Sequence, residues 1–267
     1  MDKGIEVNRR VWNEWAQINV RSEMYAHDDF LKGRNSLHSL ELSEVGDVSG
    51  KRLLHLMCHF GHDSLSWARL GADVTAVDFS SEAIAIARQS AEQTGVPARF
   101  ICSNLYDLPQ HLDETFDIVY TSYGVLTWLP DLAEWARIAA SYVKPGGFFY
   151  IAEFHSTAMI FDDEADSPIH RYPYFNEGPI ILPVSGTYAD RQAETKEKET
   201  YEWSYPLGEV ITNLVKCGLT IEYVHEYPFS TYQAYEWLEK HTDGNYYPRQ
   251  GIPSVPLIFS IKAAKQP

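Results

Sequence analysis

The chain has 267 residues and a formal net charge of −15, because 37 Asp and Glu residues outnumber 22 Lys and Arg residues. No Lys/Arg-rich stretch offsets that excess, which argues against a nucleic-acid partner. No apolar stretch approaches the roughly 20 residues of a membrane-spanning helix, and the N-terminal residues lack the apolar core of a secretion signal. We therefore expect a cytoplasmic protein with no membrane partner and a small-molecule ligand, neutral or cationic.

The first 49 residues predict a helical cap. Apolar residues recur at helical spacing over 5–20, at Val7, Val11, Trp15 and Ile18. An irregular segment with aromatic side chains follows over 24–32 and includes Tyr25 and His27. This segment either packs on the surface of the domain or closes over a ligand.

Residues 51–80 predict a strand, a turn, a helix and a second strand. The first apolar run ends at Leu56, the turn reaches Gly61, and the second apolar run ends on Asp78. Such a unit places a turn and a helix N-terminus at one edge of a parallel sheet, where a nucleotide-like ligand can bind. An acid after the second strand is placed to accept hydrogen bonds from a ribose diol.

Strands and helices then alternate along the chain. Further strands are predicted at 100–102, 116–121, 148–154, 219–226 and 256–263, and helices after Ser80, after Asp131, over 207–217 and over 232–238. This alternation predicts an α/β fold with a doubly wound, mostly parallel sheet.

Residues 156–205 interrupt that alternation with prolines and aromatic residues. Apolar residues alternate over 180–184 and aromatic residues over 201–205, which predicts a β-ribbon. A long insertion is usually a functional lid or a disordered loop, and this aromatic content disfavours disorder. We therefore predict a single domain, 1–267, with a cap at 1–49, a core at 50–155 and 206–267, and an insertion at 156–205.

Three motifs carry a resemblance to a known family: LLHLMCHFG, SWARLGADVTAVDFS and FDIVYTS…WLPDL…VKPGGFFYIAEFH. Together they resemble the class I S-adenosylmethionine-dependent methyltransferases over roughly 50–263. The first two are similar to those of a bacterial subgroup, mostly without assigned acceptors. The resemblance implies a seven-stranded Rossmann-like sheet, S-adenosylmethionine as cofactor with S-adenosylhomocysteine as product, and in-line methyl transfer to a small molecule.

The resemblance also implies roles for particular residues. Leu56, Cys58 and Gly61 would line the turn, Asp78 would bind the ribose, Phe79 would flank the adenine, Asn104 and Leu105 would recognise its edge, and Thr121, Ser122 and Tyr123 would border the methyl group. The turn departs from the family pattern, acid-Leu-Gly-Cys-Gly-x-Gly, because His55 replaces the acid and Met57 and His59 replace two glycines. Since glycine lets a backbone approach a ligand closely, we expect the side chains of Met57 and His59 to point away from the ligand.

A general base, if the reaction needs one, is predicted at His155, just past the fifth strand. Glu153 would share its strand face and orient it. In the alternative interpretation His155 is a loop histidine satisfied by the backbone. Alignment alone can contribute on the order of 7–11 kcal/mol to catalysis, so a base is not essential.

Aromatic residues of the cap and the insertion are the candidate acceptor contacts: Tyr25, His27, Tyr172, Tyr174, Tyr188 and Trp203. Aromatic walls suit an apolar or cationic acceptor. Alternatively, these rings pack the insertion onto the sheet or form the contact of a homodimer.

The sequence admits three other interpretations. The pattern H-x-x-C-H-x-x-H at residues 55–62 could suggest zinc, but strand residues alternate faces and a tight turn separates the others, so we predict no metal. Unpaired spacing of Cys58, Cys102 and Cys217 favours reduced thiols. A nicotinamide enzyme needs three glycines in the turn, where this chain has one. A protein that binds the cofactor without transfer, as a regulator or scaffold, remains an alternative.

Overall fold

The computed structural model describes residues 2–267. Its helices are α1 (Lys3–Asn19), α2 (His27–Leu31), α3 (Ser39–Val45), α4 (His62–Arg69), α5 (Ser81–Thr94), α6 (Leu132–Tyr142) and α7 (Leu207–Lys216). Its strands are β1 (Arg52–Leu56), β2 (Asp73–Asp78), β3 (Arg99–Cys102), β4 (Phe116–Ser122), β5 (Val143–Phe154), β6 (Ile180–Pro183), β7 (Glu199–Glu202), β8 (Leu219–Tyr227), β9 (Leu238–Lys240), β10 (Tyr246–Pro248) and β11 (Ile258–Lys265). Within this part of the chain, no helix is long and apolar enough to cross a membrane.

Seven strands form one sheet in the order β3-β2-β1-β4-β5-β11-β8. The first five pair in parallel, and β11 runs antiparallel to both β5 and β8. The predicted doubly wound, mostly parallel sheet is confirmed. The strand order reverses between β1 and β4, and in such sheets ligands bind at the carboxyl ends of the strands beside this reversal.

Apolar side chains cover both faces of the sheet, as expected for mostly parallel strands. Neighbouring residues of β1 point to opposite faces, so Leu54 joins one core with Trp135 while Leu53 joins the other with Trp67. All four are fully buried. The two cores hold the sheet rigidly, which fixes the positions of the strand ends that form the site.

Helix termini confirm two local predictions. The Ser80 Oγ accepts a hydrogen bond from the Ala83 N–H at 3.1 Å, and Asp131 accepts one from the Glu134 N–H at 2.9 Å. Each cap pairs a backbone donor that the helix itself leaves unpaired. These caps start α5 and α6 at defined distances from the sheet edge.

The cap and the insertion are joined through a buried asparagine. Asn8 of α1 donates from Nδ2 to the Tyr201 carbonyl at 2.6 Å, and its Oδ1 accepts from the Tyr201 N–H at 2.9 Å. Tyr201 belongs to β7, which pairs antiparallel with β6 and so confirms the predicted ribbon. The amphipathic helix predicted over 5–20 is likewise confirmed as α1.

The helix predicted over 232–238 is wrong. This segment is irregular and leads into β9, which pairs with β10. Tyr235 and Trp237 stack with ring centroids 4.9 Å apart, and the Tyr235 hydroxyl donates to the Ala158 carbonyl at 2.6 Å. Side chains two residues apart do not face each other on a helix, so this stacking requires a more extended backbone.

Candidate active site

The turn after β1 has left-handed backbone conformations typical of a glycine-rich turn, although Met57 and His59 replace two of the family's glycines. Met57 has φ 59°, His59 has φ 50° and Gly61 has φ 79°. A left-handed conformation costs a non-glycine residue roughly 1–2 kcal/mol. Packing leaves no room for a side chain at Gly61, because a Cβ there would lie 2.7 Å from the Phe100 ring and 2.9 Å from the Ala87 Cβ.

Asp78, at the end of β2, supports this turn. Its Oδ2 accepts from the His59 N–H and its Oδ1 accepts from the Ser80 N–H, each at 2.8 Å. Burial raises the pKa of this carboxyl to about 6, against the opposing effect of these backbone hydrogen bonds. An ionised carboxylate offers about four acceptor sites, so Asp78 can accept further hydrogen bonds from a ligand.

A cleft of about 390 Å³ lies at this edge of the sheet. Its lining includes four of the residues predicted to bind the nucleoside, together with residues from the turn, α1 and the segment after β4: Asp78, Phe79, Asn104, Leu105, Met57, Ile5 and Trp128. The residues predicted for the ribose and the adenine are therefore brought together. Met57 also lines the cleft, and that its side chain points away from a bound ligand stays a prediction.

Two other residues predicted for the turn lie behind the cleft. Leu56 is fully buried, and its carbonyl accepts from the Thr121 hydroxyl at 2.8 Å, which ties β1 to β4. Cys58 is also buried, and burial raises the pKa of its thiol. These side chains support the turn.

Hydrogen bonds tie the end of β4 to α4 and to the cap. The Ser122 Oγ donates to Asp63 Oδ2 at 3.3 Å, and the Tyr123 hydroxyl donates to Glu41 Oε2 at 2.7 Å. Tyr123 has φ 27°, so the chain turns sharply where β4 ends. Thus the side chains of Thr121, Ser122 and Tyr123 all have partners within the protein.

Glu41 of α3 is a buried acid that sequence reasoning missed. Its Oε1 accepts from the His38 N–H at 2.9 Å, while Oε2 pairs with Tyr123. Burial, with the nearby charge of Asp63, raises the pKa of Glu41 to about 8. Glu41 is therefore mostly protonated at neutral pH. The only available signal was its position three residues after His38, at the start of a short helix.

The prediction that Glu153 orients His155 is wrong. The Glu153 carboxylate accepts hydrogen bonds from four backbone N–H groups, those of Gly124, Val125, Leu126 and Phe154. The strand ends at Phe154, so the two-residue repeat that places side chains on one face does not extend to His155.

His155 has other partners. Its Nδ1 accepts from the Thr157 N–H at 3.0 Å, and its Nε2 lies 2.8 Å from Glu226 Oε1. Burial lowers the pKa of the imidazole, and Glu226 opposes that shift. The catalytic role of His155 stays a prediction. In the alternative interpretation its imidazole has only a structural role and connects the end of β5 to β8.

A pair of tyrosine hydroxyls joins the cap to the insertion. The Tyr25 and Tyr188 oxygens lie 2.5 Å apart. From Tyr188 a row of rings continues towards the end of β4, with centroid distances of 6.3 Å to Tyr232, 5.4 Å from there to Phe154, and 6.1 Å on to Tyr123. Two of the predicted acceptor residues, Tyr25 and Tyr188, are thus connected through Tyr232 and Phe154 to Tyr123, one of the residues predicted to border the methyl group.

The other predicted acceptor residues lie apart from that row. His27 Nδ1 lies 2.9 Å from His62 Nε2 at the start of α4. Trp203 lines a second cleft, of about 420 Å³, together with Glu153 and Phe154. Tyr172 lies beside the Arg171 guanidinium, and Tyr174 packs against Phe175.

The side chains of the H-x-x-C-H-x-x-H pattern point to different neighbours. His55 Nδ1 lies 2.8 Å from the Ser64 Oγ, His62 pairs with His27, and the His59 ring lies 5.1 Å from the Trp12 ring. In residues 2–267 no group of three or more His, Cys, Asp or Glu side chains could hold a metal ion.

Comparisons with known proteins agree with this geometry. Residues 53–147 match the sequence model of a family described as "Methyltransferase domain". A ubiquinone biosynthesis O-methyltransferase of Xanthomonas euvesicatoria is 34% identical over 133 residues, which cover 49% of this chain and 55% of that protein. The chain thus spans about half the length of the curated relatives it matches.

Solved structures show the same fold across nearly the whole chain. An S-adenosylmethionine-dependent methyltransferase of Mesorhizobium loti, 21% identical, has a TM-score of 0.57 and covers 87% of this chain and 99% of its own. The DhpI–SAH complex, 16% identical, has a TM-score of 0.58 with full coverage of both chains.

Proposed function

We propose that this chain, which contains a class I methyltransferase domain, is an S-adenosylmethionine-dependent methyltransferase that acts on a small-molecule acceptor. The observation that carries the proposal is the cleft in which Asp78, Phe79, Asn104 and Leu105 meet beside the turn after β1. An acid, an aromatic ring and a carboxamide around one opening fit the ribose and the base of a nucleoside.

The donor and acceptor groups of the cleft suit this ligand. Asp78 has unused acceptor capacity for two ribose hydroxyls. The Asn104 Oδ1 accepts from the Tyr106 N–H at 3.1 Å, which orients the carboxamide and leaves its NH₂ group to donate to a base. When bound, the cofactor supplies an electrophilic methyl group on sulfur.

The residues of the chain then have three tasks: to bind, to align and to exclude water. Asp78 and Asn104 hold the nucleoside. The turn and the end of β4 define where the reactive end lies, and the aromatic row from Tyr25 to Tyr123 forms a wall that shields it. Alignment of this kind can contribute on the order of 7–11 kcal/mol, so the fold itself supplies much of the catalysis.

We propose that the acceptor carries a ring and binds under the cap and the insertion. These two segments would act together as a lid, and the whole chain would form one domain. The row of Tyr188, Tyr232 and Phe154 supports this, since aromatic walls bind planar apolar groups well. Because the curated relatives are named O-methyltransferases of ubiquinone biosynthesis, phenols are the first class to test. The charge of −15 disfavours nucleic acid as acceptor, and reduced cysteines are consistent with a cytoplasmic location.

Ligand-dependent thermal stabilisation tests the proposal. S-adenosylmethionine and its demethylated product should each stabilise the protein, by about 2.7 kcal/mol at 100 times the dissociation constant. Stabilisation by NAD alone would refute the assignment. In a second assay, formation of S-adenosylhomocysteine is measured with panels of phenols, amines and thiols. Binding without turnover on every panel would favour the regulator or scaffold alternative.

A further inference from the structure

Several buried polar atoms without partners lie between α1 and the turn after β1. Asn19, the last residue of α1, is fully buried, and neither its Oδ1 nor its Nδ2 makes a hydrogen bond. The Trp15 Nε1 and the His59 Nε2 are also buried and unpaired. Native proteins pair most of their buried polar groups, so four such atoms on three side chains call for a specific explanation.

These side chains are neighbours. The Trp15 ring lies 5.9 Å from the Tyr188 ring, and the Tyr25 ring lies 5.7 Å from the His59 ring. The Tyr25 and Tyr188 hydroxyls form the 2.5 Å pair. Burial raises the pKa of Tyr188, and a polar contact with the Asn19 carboxamide, too long or too bent to be a hydrogen bond, opposes that rise. We call Trp15, Asn19, Tyr25, His59 and Tyr188 the polar cluster.

The polar cluster adjoins the nucleoside cleft. His59 and Met57 belong to the same turn, and Met57 lines the cleft. Trp128 lines it too, and its ring lies 6.1 Å from the Trp15 ring. The shared turn and the contact between Trp15 and Trp128 therefore place the polar cluster next to the cleft that the nucleoside would fill.

We propose that the polar cluster binds the α-amino and carboxylate groups of S-adenosylmethionine, with side chains of the cap and His59 replacing the contacts that a glycine-rich turn makes with its backbone. The inference rests on the proposed function. A carboxylate can accept from the Asn19 amide, the Trp15 N–H and a tyrosine hydroxyl, and an ammonium can donate to the Asn19 carbonyl oxygen. The cluster offers both kinds of partner, as a zwitterion requires.

The test compares two ligands that differ only at this end. S-adenosylhomocysteine carries the amino acid group, whereas 5′-methylthioadenosine keeps the adenosine and the thioether but lacks that group. Both are titrated by calorimetry into the unmodified protein and into N19A, H59G and Y188F. The matched control is Q17A, which removes an exposed carboxamide from the same helix.

We expect N19A and H59G to lower the affinity for S-adenosylhomocysteine at least tenfold, and Y188F to lower it at least threefold. The affinity for 5′-methylthioadenosine should change less than twofold in each, and Q17A should change neither. H59G is informative because it restores the residue typical of the family. If His59 is merely tolerated there, H59G binds both ligands at least as well as the unmodified protein.

The inference would be overturned if the ratio of the affinities for S-adenosylhomocysteine and 5′-methylthioadenosine were the same in all three variants as in the unmodified protein. The polar cluster would then be a candidate contact of the methyl acceptor. If N19A does not fold, Y188F, which removes one hydroxyl, still decides the question. If the unmodified protein binds neither ligand, the proposed function itself fails. Binding of 5′-methylthioadenosine thus separates the two failures.

Discussion

Two buried acids stand near the ends of strands at the same edge of the sheet, Asp78 on β2 and Glu153 on β5. Asp78 accepts two backbone hydrogen bonds and lines the nucleoside cleft. Glu153 accepts four, from Phe154 and the three residues that follow Tyr123 in sequence. A carboxylate has about four acceptor sites for hydrogen bonds. All the acceptor sites of Glu153 are therefore occupied, whereas about half of those of Asp78 are free.

This difference separates the acid that we propose binds the ribose from an acid that only supports the fold. Both carboxyls are buried and both have raised pKa values, because burial disfavours the charged form. Burial and pKa therefore do not distinguish their roles, but the remaining hydrogen-bonding capacity does. Substitution of each acid tests whether free acceptor sites separate the two roles.

The largest effect is expected from E153A. Four backbone N–H groups after β4 and at Phe154 would lose their acceptor, and unpaired buried donors cost about 1–3 kcal/mol each before relaxation. We expect the free energy of unfolding to fall by about 3 kcal/mol or more, measured by urea denaturation. The control E226Q, at a half-exposed acid, should change it by less than 1 kcal/mol. A stable E153A would contradict the structural role.

The next effect is that of D78N on binding. The substitution keeps the size of the side chain but replaces an acceptor oxygen with a donor group. Loss of one hydrogen bond to a charged group corresponds to about 1.5–3 kcal/mol, or a ten- to hundredfold weaker affinity for S-adenosylhomocysteine by calorimetry. An unchanged dissociation constant would show that Asp78, like Glu153, serves only the fold.

Asp78 also predicts a pH dependence. Its pKa is raised from 3.8 to about 6 in the folded protein, so the folded state holds its proton more tightly than the unfolded state. Its contribution to stability is therefore present below pH 4 and lost as the pH rises to about 6. Affinity for S-adenosylhomocysteine should move the opposite way and fall below pH 6, because the ionised form is the better acceptor.

The control for this pH dependence is D78N, in which neither the stability nor the affinity for S-adenosylhomocysteine should show the change attributed to Asp78. Affinity and unfolding free energy are measured for the two proteins between pH 4 and pH 8. If both proteins show identical profiles, other groups control the dependence.

The smallest effect is expected from H155Q. The structural interpretation predicts a stability loss of about 1 kcal/mol, the contribution of a typical hydrogen bond, with turnover unchanged at every pH. A catalytic base would instead lower turnover about 10²–10⁴-fold. Steady-state kinetics on an identified acceptor, with denaturation of the same variant, distinguishes these outcomes.

The sequence pattern predicted the sheet and most of its helices, because strands buried on both faces leave continuous apolar runs and helices leave apolar residues every three or four positions. It also predicted which strand ends would meet, since parallel strands bring their carboxyl ends to one edge. The positions of Asp78 and Asn104 at one edge of the sheet follow directly from that topology, and both residues line the cleft.

Contacts between distant segments could not be predicted. The pairing of Tyr25 with Tyr188 and the burial of Asn19 depend on how the cap docks against the insertion, which no local pattern specifies. The sequence predicts a helix over 232–238, but the segment is irregular because stacking of Tyr235 on Trp237 requires a more extended backbone. Met57 and His59 show a related limit, since their left-handed backbone comes from the surrounding structure.

A crystal structure with S-adenosylhomocysteine is the most direct test of whether the cleft binds the nucleoside. We expect the ribose hydroxyls to lie within hydrogen-bond distance of Asp78 and the adenine to lie between Phe79 and Asn104. Adenosine bound elsewhere, with the Asp78 carboxylate facing only the backbone N–H groups of His59 and Ser80, would contradict it.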